Sequence, residues 1–124
     1  MMNNIISSDP EIQKKFNTAS EILGYNILEV ISKGPKEKLN QTEITQPAIL
    51  LTSYALWLLW KKKSKLMPTV LAGHSLGEYT ALLCAGVISF EEAVSLVSER
   101  GKSMQRSVPS DTGCLLYTSP SPRD

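Results

Sequence analysis

Five consecutive residues, Gly73-His74-Ser75-Leu76-Gly77, could do chemistry: a serine hydroxyl bracketed by glycines in the pattern Gly-x-Ser-x-Gly. Such a serine becomes a reachable nucleophile when the chain presents it at a sharp turn between a strand and a helix. The turn holds the serine backbone in a strained conformation, the glycines avoid side-chain clashes, and the hydroxyl projects at the helix N-terminus. There the Leu76 N–H, unpaired in the first helical turn, can donate to an oxyanion forming beside Ser75. The pentapeptide alone is a weak pattern, and an ordinary glycine-bounded turn with Ser75 as the helix N-cap also fits it. His74 is adjacent in sequence and points away, so it reads as structural, and Glu78 reads as a dipole or capping partner near the helix start.

A second residue with chemical potential is Arg100. Ala93, Leu96, Val97, Arg100 and Met104 follow helical spacing, which puts the guanidinium on the apolar stripe of its helix. A charge there needs an anionic or carbonyl partner. The residues alone leave two options open: a ligand carboxylate, or a buried carboxylate or carbonyl of the protein itself.

The elements that must position these groups are mostly helical. Asp9-Pro10-Glu11 supplies an N-cap, a proline at the first helical position and an acidic first turn, and Gly24 a stop, so 10–23 is expected to be a helix with Ile12, Phe16, Ala19, Ile22 and Leu23 facing inward. A short helix through Ile27, Leu28, Val30 and Ile31 precedes the break at Gly34-Pro35. Residues 46–63 read as a long helix, apolar around much of its circumference and therefore covered on several sides. Thr69-Val70-Leu71-Ala72 reads as a parallel strand buried on both faces. Helical spacing resumes over 76–85, and Ser89 followed by Glu91 and Glu92 starts a last helix that runs to about Gln105. One strand among helices is an α/β arrangement.

Composition narrows the function classes. The 124 residues fit one compact unit, or part of one, and 13 Lys plus Arg against 12 Asp plus Glu give nothing that asks for nucleic acid. The cationic run Lys61, Lys62, Lys63 and Lys65 reads as a solvated helix C-terminus, with attraction of an acidic protein partner as the alternative. Cys84 and Cys114 match no metal-ligand spacing, and Cys84 among apolar residues reads as a buried free thiol in a reducing compartment. The apolar stretch 47–60 is too short to span a bilayer, and residues 1–10 hold no signal-peptide run, so the expectation is a cytoplasmic protein with no metal and no membrane partner.

Beyond the pentapeptide, Gly73-His74-Ser75-Leu76-Gly77-Glu78-Tyr79, continued by Ala81-Leu82 and Cys84-Ala85-Gly86-Val87, resembles the serine turn of malonyl-CoA:acyl carrier protein transacylases. Thr45-Gln46-Pro47-Ala48 and Arg100-Gly101-Lys102 with Met104-Gln105 resemble the same family, and weaker similarity lies in 19–25 and 34–41. The motifs follow the family's order over roughly residues 9 to 113. The resemblance implies a partial α/β-hydrolase-like acyltransferase core with Ser75 as nucleophile, the Leu76 amide in the oxyanion hole and Arg100 holding the free malonyl carboxylate. It further implies malonyl-CoA as substrate, acyl carrier protein as partner, a place in fatty acid synthesis and no cofactor.

The departures are equally specific. The family has a glycine- and glutamine-rich turn after its first strand, a histidine far downstream of the serine and a small ferredoxin-like subdomain. None has a counterpart here, where the one histidine is His74. The expectation is therefore a partial acyltransferase domain over 1–113, inactive by itself, followed by a non-family tail over 114–124. The tail reads as foreign sequence or as a natural disordered end. An α/β-hydrolase esterase would need an acid, for which Asp111 is available, and then a histidine after the serine. A carrier-protein-binding chain without chemistry is the other alternative.

Overall fold

The computed structural model describes residues 9–107, and among them six helices: α1 (Pro10–Leu23), α2 (Ile27–Lys33), α3 (Lys36–Leu39), α4 (Thr42–Lys63), α5 (Leu76–Cys84) and α6 (Phe90–Ser107). Cys114, Asp111 and the tail after Gly113 lie outside the described residues. α4 packs most extensively on α6 and also on α5, while α1 lies against α6. Phe16 and Ile12 from α1, Leu50 and Leu51 from α4, and Val94 and Val97 from α6 form the fully buried centre.

α1 forms as its sequence demands. Asp9 is extended, its carboxylate accepts from the Glu11 and Ile12 amides at 3.0 and 3.4 Å, and Gly24 ends the helix in the left-handed region at φ 77°. Ile12, Phe16 and Ala19 are buried, but Ile22 is 38 % exposed. The stripe that starts 12, 16, 19 continues at Leu23, which packs on the core, and Ile22 has rotated off it.

α4 begins at Thr42, one turn earlier than expected. Pro47 resembles a helix start because proline suits the first turn, yet here it lies inside the helix with its ring fully buried. The earlier turn is held by contacts across the fold. The Thr42 amide donates to Gln105 Oε1 at 2.9 Å, and the Thr45 hydroxyl donates to the Leu39 and Gln41 carbonyls. Nor is α4 covered all round, since Ile49 and Leu56 are each 49 % exposed. α6 crosses α4 closely at Gly101, where a Cβ would lie 2.8 Å from Glu43 Cα. Its buried stripe is Phe90, Ala93, Val94, Val97, Ser98 and Gly101. Leu96 and Met104 are exposed, so Arg100 borders this stripe instead of lying within it.

The expected strand is absent: residues 69–72 have no regular structure, and Val70 is 78 % exposed. A strand is stabilised by hydrogen bonds to a neighbour, and the described residues offer none. The described residues are thus mostly helical, without a strand. No helix among them is long and apolar enough to cross a membrane.

The lysine run does more than solvate a helix end. Lys62 Nζ reaches Asp9 Oδ2 at 2.6 Å and Glu11 Oε2 at 2.9 Å, tying the end of α4 to the start of α1. The Lys62 ammonium, followed by the two amides it caps, holds the Asp9 carboxyl below its ordinary 3.8. A depressed carboxylate contributes stability above its unfolded pKa and loses it as pH falls through the folded value. Acid titration of the chain followed by circular dichroism should therefore show loss of helix beginning below about pH 4, and Lys62→Met should start it at higher pH. An unchanged acid midpoint in Lys62→Met would show that the contact contributes nothing.

Candidate active site

Ser75 immediately precedes α5 and is the one non-glycine residue with positive φ among the described residues, at φ 55° and ψ −115°. A β-substituted residue is costly there, so the surrounding turn must impose the conformation. Two backbone bonds close it: the Gly77 amide donates to the His74 carbonyl at 2.9 Å and the Glu78 amide to the Ser75 carbonyl at 3.2 Å. The turn is tight because of Gly73. A Cβ on it would collide with the Gly77 carbonyl and sit 2.6 Å from the Glu78 nitrogen. A Cβ on Gly77 would meet nothing within 4 Å, so only the first of the two glycines is demanded by close approach.

Gly73→Ala should consequently open the turn, since the atoms it strikes are backbone and cannot rotate away. The cost should exceed the roughly 1 to 3 kcal/mol of ordinary overpacking. Gly77→Ala should cost less than about 1 kcal/mol, or stabilise the helix. Equal urea midpoints for the two variants would contradict this placement.

The Ser75 side chain does not cap α5. Its hydroxyl is exposed and accepts a hydrogen bond from Arg100 Nη2 at 2.9 Å, across 25 residues of sequence. The Leu76 N–H, at the first position of α5, has no hydrogen-bond partner among the described residues and lies beside that hydroxyl along the chain. Ser75 thus stands at the N-cap position of α5 without a side-chain capping bond. His74 is exposed and its ring makes no hydrogen bond among the described residues, while Glu78 stands exposed in the first turn of α5.

Arg100 reaches this turn from α6. Its Nη1 donates to Gln46 Oε1 at 2.5 Å, and its guanidinium carbon lies 5.8 Å from the Tyr79 ring centroid. No carboxylate among the described residues comes within ion-pair distance of it. The positive charge beside Ser75 is therefore held by neutral groups. Gln46, only 5 % exposed, and Tyr79 are the residues that single-residue reasoning passes over. A polar amide at the head of the apolar stretch 47–60 is the signal that points to the first of them.

Cys84 is a half-buried free thiol whose pKa burial pushes up, so it is not an activated nucleophile. No group of acidic, histidine or cysteine side chains among the described residues could hold a metal ion. A hollow of about 650 Å³ between α1 and α6, lined by Thr18, Ile22, Ile88, Glu91 and Leu96 among others, touches none of the turn residues.

Comparison with known proteins finds relatives over most of this chain. The family model described as acyl transferase domain matches residues 6–116. The Salmonella typhimurium malonyl CoA-acyl carrier protein transacylase is 49 % identical over 113 residues, covering 91 % of this chain and 37 % of the relative. The Escherichia coli K12 protein of the same name is 47 % identical over 115 residues, covering 93 % and 37 %. Among solved structures, an acyl carrier protein S-malonyltransferase from Vibrio cholerae superposes with a TM-score of 0.82 at 47 % identity, over 90 % of this chain and 37 % of that one. A malonyl-transacylase in complex with its type II PKS acyl-carrier protein gives a TM-score of 0.80 at 47 % identity, over 88 % and 35 %. This chain spans about 37 % of the length of the curated relatives it matches. With the family model reaching from before α1 to beyond α6, and the serine turn and its arginine inside it, the chain belongs to the acyl transferase domain family.

Proposed function

We propose that this chain supplies the nucleophile and the acyl-binding arginine of a malonyl-CoA:acyl carrier protein transacylase of fatty acid synthesis. The observation that carries this reading is the guanidinium of Arg100, without a carboxylate partner among the described residues and 2.9 Å from the hydroxyl of a serine held at φ 55°. In the proposed reaction Ser75 Oγ attacks the thioester carbonyl of malonyl-CoA. The carbonyl oxygen becomes an oxyanion facing the Leu76 N–H, and coenzyme A leaves as its thiol when the intermediate collapses to a seryl ester. The phosphopantetheine thiol of acyl carrier protein then attacks that ester, and Ser75 recovers its proton. Neither step changes oxidation state, so the exchange calls for no cofactor. Arg100 holds the free carboxylate, one methylene away from the reacting carbonyl.

Among the described residues the only hydrogen-bond partner of the Ser75 hydroxyl is Arg100, which donates. A proton acceptor for Ser75 is thus not part of this site, and we expect no turnover from the 124-residue chain alone. The remaining elements, including an α/β-hydrolase-like sheet beside residues 69–72, would come from the rest of such an enzyme, working in the cytoplasm.

The test is a hybrid in which residues 9–107 replace the matching segment of the Escherichia coli relative. Given labelled malonyl-CoA, it should form a seryl ester at Ser75 and pass the label to acyl carrier protein. Release of the label to water would make the site that of an esterase. Absence of any label at Ser75 would leave only a carrier-binding role.

A further inference from the structure

We infer that Gln46 is a positioning residue: its side-chain carbonyl holds one arm of the Arg100 guanidinium so that the other arm faces Ser75 and the acyl carboxylate. This rests on the reading of Arg100 given above. An arginine at the edge of a helix stripe has several rotatable bonds and no reason of its own to point at a serine in a distant turn. Here the aim is set from α4. Gln46 accepts from Nη1 at 2.5 Å, and Nη2 is thereby directed to the Ser75 hydroxyl at 2.9 Å.

The glutamine is itself fixed. Its Nε2 donates to Met104 Sδ at 3.3 Å, one turn beyond Arg100 on the same helix. The reverse orientation of the amide would set two donors, its NH2 and the guanidinium, against each other. Burial of Gln46 at 5 % exposure and the fully buried Pro47 that follows it leave the side chain little freedom. With one Nη1 donor taken by Gln46, the Nη2 arm stands beside the serine, where an acyl carboxylate would lie.

The neutrality of the amide matters as much as its place. A glutamate at position 46 would orient the guanidinium equally well but would also neutralise it, removing the charge that an incoming carboxylate needs. A glutamine orients the arginine and leaves its charge free. The two roles separate in two variants, Gln46→Leu, which fills the space without an acceptor, and Gln46→Glu, which keeps the acceptor and adds a charge.

Guanidinium nitrogen spectra of the full 124-residue chain read the orientation directly, with Arg100→Lys used to assign the signals and circular dichroism to confirm the helices. Arg100 should show separate Nη1 and Nη2 resonances in the unaltered chain and in Gln46→Glu, and one averaged resonance in Gln46→Leu. In the hybrid described above, both variants should lower the preference for malonyl-CoA over acetyl-CoA roughly ten-fold. Separate Nη resonances persisting in Gln46→Leu would overturn the positioning role. Full malonyl preference in Gln46→Glu would overturn the need for a neutral acceptor. If the unaltered hybrid takes no malonyl label, the proposed function falls while the spectra still decide the role of Gln46.

Discussion

Replacing Ser75 with alanine in the hybrid should abolish label uptake from malonyl-CoA and reduce transfer by a factor on the order of 10⁶, the loss seen when the nucleophile of other serine enzymes is removed. The size follows from loss of the group that forms the ester, and Cys84, half-buried with its thiol pKa pushed up, is no ready substitute. The loss should not be a folding effect, because Ser75 exposes its side chain and caps nothing. Alanine also suffers the same backbone strain as serine at φ 55°. Ser75→Gly separates the two roles further. Glycine relieves a strain of about 1 to 3 kcal/mol and concedes roughly 0.4 to 1 kcal/mol to the entropy of the unfolded chain, so the net should be stabilising. A catalytically dead Ser75→Gly with a raised urea midpoint would show that stability is sacrificed at this turn for function. A lowered midpoint would mean that the serine backbone is not strained.

Much of this site is legible in the order of the amino acids, and the parts that are not share one physical cause. Asp9, Pro10 and Gly24 bound α1 by local hydrogen bonding and local backbone preference, so its limits follow from neighbouring residues alone. The same holds for the turn at Ser75, where Gly73 must be small because the first turn of the helix that follows lies against it. Errors arise where distant residues decide. The first turn of α4 depends on Gln105 receiving the Thr42 amide 63 positions away. The expected strand at 69–72 fails because a strand is a property of a pair, and its apolar, β-branched composition shows only what a partner would find. Arg100 is legible as a charge in need of a partner. That the partners are Gln46 and the Ser75 hydroxyl requires the crossing of α4, α5 and α6. The ambiguity between a ligand-binding and a self-paired arginine turns on contacts that no spacing encodes.

Arg100→Ala should lose malonyl transfer while retaining or gaining transfer of neutral acyl groups. The guanidinium has no carboxylate of the protein to neutralise it among the described residues, and its Nη2 already occupies hydrogen-bond distance from the nucleophile. A malonyl group esterified at Ser75 would carry its carboxylate one methylene from the ester carbonyl, within the reach of that nitrogen. The guanidinium would then exchange its contact with a neutral hydroxyl for a charge-assisted one with the carboxylate. Such hydrogen bonds contribute about 1.5 to 3 kcal/mol, which corresponds to a roughly ten- to hundred-fold change in the ratio of malonyl to acetyl transfer. Acetyl transfer should survive because the acetyl methyl makes no use of the charge, and removal of the side chain leaves room for bulkier neutral groups. Lysine should restore the preference poorly, since a point charge on a flexible stem cannot engage Gln46 and the carboxylate in the same fixed geometry. The check is competition between malonyl-CoA and acetyl-CoA for the Ser75 hydroxyl of the hybrid, with the seryl ester identified by mass. If Arg100→Ala kept the malonyl preference of the parent, the arginine would instead be a structural link between α4 and α5, and the carboxylate would have to be held by residues outside 9–107.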